Sequence, residues 1–225
     1  MRRTRLLVGL VVAGAAVVLG EARLRPWYQR WGATDEEVAC TLPGDELVPG
    51  AGDVATRAVT IRAPVEEVWA WLVQIGQHRA GFYSYSFLEN LVGADIHNAN
   101  RIVPEWQHLA VGDVVWLAPE RRFGRVGVQV VAALVPGRAF TLMGERDLAR
   151  LERGEPARDG AWSFVVEPVD EHTTRFLVRS RSPRVKHAFD AVHFVMERGM
   201  MLGLKARAER AVAARLEAAR GSGGA

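Results

Sequence analysis

An alternating run from Val54 to Ile61 ends at Pro64 and passes without a loop into a helical pattern. That change of period constrains the fold more than any other feature of the chain. Val59 and Ile61 share one face of a strand, because successive side chains alternate across a pleated backbone. Pro64 suits the first turn of a helix, where its missing N–H has no intrahelical partner to lose. Val65, Val68, Trp69 and Leu72 then fall at i, i+3, i+4 and i+7, one face of an amphipathic helix running from about Pro64 to Ile75.

Beyond this helix, Gly76–Tyr85 reads as a connection and Ser86–Val92 as a short helix. Period-2 patterning predicts strands over Asp113–Leu117, Arg125–Val135 and Ala139–Met143, then from Trp162 to Val166 and from Thr173 to Arg181. On the last of these, Phe176 and Val178 face one way, while Arg175, Leu177 and Arg179 face the other. Residues 144–160 carry many charges and three glycines and read as an exposed loop. Pro183 precedes a long helix over about Val185–Ala218. Val185, Phe189, Val192, Met196 and Gly203 trace its expected buried face, and its charged distal part, from Lys205, is expected to project beyond the sheet.

The segment Ile61–Leu72, with its Ala63-Pro64-Val65-Glu66-Glu67-Val68-Trp69 core, resembles the opening of START-like domains. These form the SRPBCC superfamily, also called the polyketide cyclase/dehydrase and lipid-transport superfamily. The order of strand, two helices, antiparallel strands and long helix agrees over about residues 53–204. The resemblance implies an α+β helix-grip fold, an antiparallel sheet curled around a long C-terminal helix and enclosing an apolar cavity. The stretch from Gly81-Phe82-Tyr83-Ser84-Tyr85 through Leu88-Glu89-Asn90 and His97-Asn98-Ala99 to Trp106 is similar to one in a bacterial subgroup whose members carry an N-terminal hydrophobic segment.

This chain has such a segment. Arg2, Arg3 and Arg5 precede an uncharged run from Leu6 to Gly20, fifteen residues. As a helix the run spans roughly 22 Å, short of a hydrocarbon core of roughly 30 Å. Snorkelling arginines or local thinning can close that gap. A retained anchor, a cleaved signal peptide and a buried helix all remain open, with the anchor favoured because Gly20-Glu21-Ala22 is a poor cleavage site. Arginine placement favours an N-terminus in the cytoplasm, a single-pass topology and a domain on the far side of the cell membrane. The expected organisation is therefore a membrane helix over residues 1–20, a juxtamembrane linker over 21–52, the START-like domain over 53–220 and a flexible tail over 221–225. Trp27, Tyr28 and Trp31 stand just past the apolar run, where aromatic side chains favour the membrane interface or pack on the domain.

Composition narrows the function classes. Hydrophobic residues are 49% of the 225, enough for a sizeable core. The net charge of +3 comes from dispersed arginines, with no basic stripe of the kind that nucleic acid requires. Cys40 is the sole cysteine, which excludes an internal disulfide and a multi-cysteine zinc site. His78, His97 and His108 lack metal-ligand spacing, so neither a metal nor a cofactor is expected. No nucleophile elbow, P-loop or dinucleotide motif is present.

The expected partners are a hydrophobic small molecule or lipid and the membrane; the oligomeric state stays open. Trp71, Tyr83, Tyr85, His97, Asn98, Trp106 and Trp116 are the expected ligand-binding residues, because aromatics combine apolar area with a polar tip. The alternative is an enzyme of the polyketide cyclase/dehydrase type, with Tyr83, Tyr85 and His97 as acid–base candidates. Against a catalytic role, a histidine among asparagines also suits a hydrogen-bonded turn.

Overall fold

The structure, a computed structural model, describes residues 23–84, 98–118, 120–185 and 187–222. Residues 23–29 form a short helix, α1. Asp35–Ala39 forms α2, closed by a capping box in which Thr34 and Glu37 satisfy each other's backbone N–H groups. The alternating run is β1, Asp53–Ile61, and α3 follows over Val65–Leu72 with Pro64 at its N-cap. Then come β2 (Val114–Trp116), a short helix α4 (Glu120–Phe123) and β3 (Val128–Val135). β4 (Ala139–Gly144) leads into α5 (Glu145–Glu152). β5 (Ala161–Asp170), β6 (Thr173–Ser182) and the long α6 (His187–Ser222) complete the described chain. The strands form one antiparallel sheet in the order β1-β6-β5-β4-β3-β2.

Strand alternation divides the interior into two layers. Val59, Ile61, Phe140, Leu142, Phe164, Val166, Phe176 and Val178 face α3 and α6, where they meet Val68, Leu72, Met200, Met201, Leu204 and Ala208. Phe140 and Phe164 stack with ring centroids 4.7 Å apart. Burying each such side chain stabilises the fold by about 1.5–3 kcal/mol. The opposite face carries Ala58, Ala139, Val165 and Leu177 beneath Leu42, and Met143 and Ala161 beneath Val48. Residues 23–52, read above as a linker, thus lie on the domain itself. They pass the β1 edge, where Ala58 N donates to Trp31 O at 3.1 Å.

Several expectations are corrected. The buried face of α6 is Phe194, Glu197, Met200, Met201, Leu204 and Ala208. Val192 is 63% and Val185 43% exposed, and Met196 is half-buried. The helix is turned by the docking of Phe194 against Tyr28 and of Glu197 against Arg57, which together place Val192 outward. The side chain of Phe189 lies outside the description. Residues 144–160 are not all loop: α5 occupies the first half. Its Asp147 carboxylate is buried and accepts the backbone N–H groups of Arg158, Asp159 and Gly160 at 2.8–2.9 Å. The long strand predicted from Arg125 begins at Val128, because Gly124–Gly127 form a 3-10 turn with Gly124 at φ 56°. The expected tail at 221–225 is helical as far as Ser222. The predicted membrane segment lies within residues 1–22, outside the described residues, as does the short helix predicted over Ser86–Val92. Among the described residues no helix is long and apolar enough to cross a membrane.

Candidate functional site

Two polar constellations interrupt the apolar layer between the sheet and α6. The first grows from β1 and the first third of α6. Arg57 occupies a core-facing register of β1 and is 1% exposed. Its Nη1 donates to Glu197 Oε1 at 2.6 Å, and its Nε donates to Tyr28 O at 2.7 Å. The other carboxylate oxygen accepts Trp162 Nε1 at 2.7 Å. The Glu197 side chain is fully buried, so both oxygens need these partners. One turn earlier, His193 Nε2 lies 3.8 Å from Glu197 Oε2, with its side chain 25% exposed. The imidazole meets the Trp162 ring edge-to-face at 5.3 Å. The constellation therefore runs from a neutralised ion pair in the interior to a histidine at its edge.

The second constellation surrounds Tyr83. Its hydroxyl accepts from Gln74 Nε2 at 2.8 Å and donates to Trp71 O at 3.0 Å. Its backbone N donates to Asn98 Oδ1 at 2.7 Å, and Asn98 Nδ2 donates to Ser84 O at 3.3 Å. The Arg207 guanidinium lies 4.6 Å over the Tyr83 ring. Tyr83 has φ 56°, a left-handed conformation costly for a bulky side chain. It is held there by these bonds and by close passage over Gly203, where a Cβ would strike the Tyr83 carbonyl oxygen. Burial raises the Tyr83 pKa far above that of free tyrosine, so the phenol stays neutral at any physiological pH. Burial also lowers the pKa values of Arg79 and Arg207.

The expected site residues separate accordingly. Trp71 is buried, and its Nε1 donates to Glu67 Oε1 at 2.8 Å, while Arg215 of α6 pairs with the other oxygen of that carboxylate. Trp71 and Tyr83 meet edge-to-face at 5.8 Å, so the structure brings these two together with Asn98. Trp106 is half-buried against the core, and its carbonyl accepts Arg79 Nη2 at 2.5 Å. Trp116 lies apart, at the β2 edge, where its ring meets His78 at 5.9 Å. Tyr85 and His97 lie outside the described residues. Among the described residues no group of His, Cys, Asp or Glu could hold a metal ion.

Sequence reasoning missed Gln74 and the Arg57–Glu197–Trp162–His193 set. Gln74 is fully buried; besides holding Tyr83, it donates to Arg101 O and accepts from Val103 N. The signal for the larger set was a charge at a core register on each element. Arg57 shares the face of Val59 and Ile61, and Glu197 is the lone carboxylate between Ala191 and Ala208.

No protein-family model matches the chain, and neither does any curated protein. Among solved structures it is similar to a protein from Nitrosospira multiformis, at 13% identity over 69% of this chain and 96% of that one, with a TM-score of 0.43. A protein from Mesorhizobium loti matches at 17% identity over 69% and 97%, with a TM-score of 0.38. A Polyketide_cyc-like protein from Corynebacterium glutamicum matches at 15% identity over 73% and 93%, with a TM-score of 0.31.

Proposed function

We propose that the chain is a helix-grip domain of the START-like type that binds a hydrophobic small molecule or lipid between the sheet and α6, tethered to a membrane through residues 1–20. The observation that carries this reading is the Arg57–Glu197–Trp162–His193 set within a largely apolar layer. Sites for apolar ligands combine an apolar lining with a few fixed polar groups. A buried ion pair adds little net stability over well-packed hydrophobes. Its position in the middle of the helix–sheet interface, ending at an accessible imidazole, suits recognition of one polar group on an apolar molecule. Trp106, with Tyr85 and His97 outside the described residues, belongs to the same proposal as a lining residue, and Trp116 at the β2 edge does not.

One observation favours an enzymatic alternative of the polyketide cyclase type. His193 and Glu197 are two titratable groups 3.8 Å apart at the edge of the apolar layer. Tyr83 does not serve that alternative, since its hydroxyl proton is committed to Trp71 O and burial disfavours its ionisation.

The test is native mass spectrometry of the full chain extracted in mild detergent, with displacement of a fluorescent fatty-acid probe. An apolar molecule should co-purify, and His193→Ala should weaken probe retention at least about tenfold, or roughly 1.4 kcal/mol, with the melting temperature held. Absence of both a co-purifying molecule and probe binding would overturn the reading. Turnover of a hydrophobic substrate, abolished by His193→Ala while binding persists, would select the enzyme.

A further inference from the structure

The first half of α6 lacks the polar outer face expected of a surface helix. Between Ala191 and Lys205 its outward positions include Val192 at 63% and Val195 at 44% exposure. Its two carboxylates up to Lys205, Asp190 and Glu197, are both turned inward, onto Arg25 and Arg57. A surface helix normally carries charge on the face away from the core. The apolar surface continues onto α1. There Arg25, Tyr28 and Gln29 point inward, while Leu24 at 57% and Trp27 at 55% exposure point outward. Trp27 meets Phe194 of α6 with ring centroids 5.5 Å apart, which joins the two helices into one face.

Two further facts say what covers it. Arg23 is exposed directly before Leu24, and the Arg198 guanidinium is half-buried over Trp31, so arginines flank the patch. The described chain also starts at this face: Arg23 is preceded directly by residues 1–22, with their fifteen uncharged residues from Leu6 to Gly20.

We infer that the face formed by Leu24, Trp27, Val192 and Val195 rests on the surface of an anionic lipid bilayer. The inference relies on the tether of the preceding reading, but on no ligand inside the domain. Leucine, valine and tryptophan enter the boundary between headgroups and acyl chains, at a depth of about 5–10 Å for an interfacial helix. The flanking arginines meet lipid phosphates and serine headgroups. The β5–β6 hairpin lies at the end of β6 opposite the one from which the chain enters α6. The His193 edge of the interior lies beside the docked face, one residue from Val192.

The test uses the full chain with Cys40→Ser, and single cysteines introduced as Leu24→Cys, Val192→Cys or, for control, Val169→Cys, which replaces a 61% exposed residue of β5 near that hairpin. Each is labelled with an environment-sensitive fluorophore and reconstituted into phosphatidylcholine vesicles with and without phosphatidylserine. Labels at 24 and 192 should shift to the blue and be quenched by shallow brominated lipids, more strongly with phosphatidylserine, while the label at 169 should remain water-like. Vesicles that float with the protein while the label at 192 stays water-like would overturn the docked face and leave the tether standing. A chain that does not float with vesicles would overturn both. A label at 192 already blue-shifted in lipid-free detergent would assign the face to another segment or to a second copy, which sedimentation then distinguishes.

Discussion

At the scale of single residues the interior is fixed by charges placed where the pattern calls for hydrophobes. Arg57 and Glu197 sit at core registers of β1 and α6, 140 residues apart in sequence. Removing one partner leaves the other charged, buried and unpaired, so Glu197→Ala should cost about 3–5 kcal/mol in chemical denaturation. The double change Arg57→Met with Glu197→Leu should recover most of that loss, since apolar replacements of a buried pair are often neutral. If the pair is there to orient a ligand through His193, the double variant will be stable and yet fail to retain the fatty-acid probe. A double variant that retains the probe would reduce the pair to packing. Tyr83 makes a second case. Gly203→Ala would drive a methyl group into the Tyr83 carbonyl and displace a residue already at φ 56°. It should lower stability by at least about 1–3 kcal/mol, the range for overpacking in a tight core. Tyr83→Phe, which keeps the ring beneath Arg207 but removes the hydroxyl that Gln74 Nε2 and Trp71 O bond, should cost about 1–3 kcal/mol.

At the scale of elements, strands and helices were legible wherever one face is buried and the other is not. β1, β4, β5, β6 and α3 follow their period-2 or 3.6 patterns to within a few residues. The rotation of α6 was not legible. Its first half is apolar on both the core side and the outer side, so periodicity alone cannot say which side faces the sheet. Glu197 carried the answer only as a partner for Arg57, and nothing local in the sequence announces that pairing. α5 escaped for a different reason. Its one buried group is Asp147, whose carboxylate gathers three backbone N–H groups, and its apolar side is only Leu148 and Leu151 within a run of charges. In the site, Tyr83 and Asn98 were legible as a cluster, but their saturation by Gln74 and by backbone groups depends on tertiary placement. α2 offers a test by pH. Arg175 grips Glu37 bidentately, Nε to Oε1 at 2.6 Å and Nη2 to Oε2 at 2.8 Å, and thereby lowers the Glu37 pKa below 4.5. A carboxylate with a depressed folded pKa stabilises the fold fully above its unfolded value and loses that contribution as pH falls through the folded value. Glu37→Gln should therefore cost about 1 kcal/mol at neutral pH, after allowance for partial exposure. The difference from the parent should shrink in urea titrations as the pH drops below 4.5. A difference that stays constant down to the acid limit would detach Glu37 from the ion pair.

At the scale of the whole molecule, the decisive fact is what lies on the far face of the sheet. The Pro- and Gly-rich stretch from Pro43 to Gly52 marks a composition boundary, and the compact pattern begins only at Asp53. Yet Leu42 and Val48 are 4% and 2% exposed on that face, and Tyr28, stacked on Phe194 on the α6 side, is 4% exposed, so the segment that carries them packs on both sides of the sheet. Arg179 ties that cover to the sheet. It is 2% exposed on β6, and its guanidinium donates to Thr56 Oγ1, to Asp45 Oδ2 and to the carbonyls of Glu37, Val38 and Cys40. Three of these acceptors are carbonyls at the C-terminal end of α2 that no helical N–H can reach, so a strand cation completes a helix supplied by the preceding segment. A chain shortened to begin at Asp53 would lose about 1.5–3 kcal/mol for each of the three buried side chains. It would also leave Arg179 buried without a counter-charge and Arg57 without the Tyr28 carbonyl. Against a total stability of about 5–15 kcal/mol, that loss is enough to unfold the domain. A chain beginning at Arg23 keeps all of these contacts and should give a cooperative transition. The Asp53 form should give none and should bind a dye specific for exposed apolar surface. A cooperative transition from the Asp53 form, with a midpoint near that of the Arg23 form, would show that the sheet and α6 hold together without this cover, and the energetic role assigned here to Arg179 would fall with it.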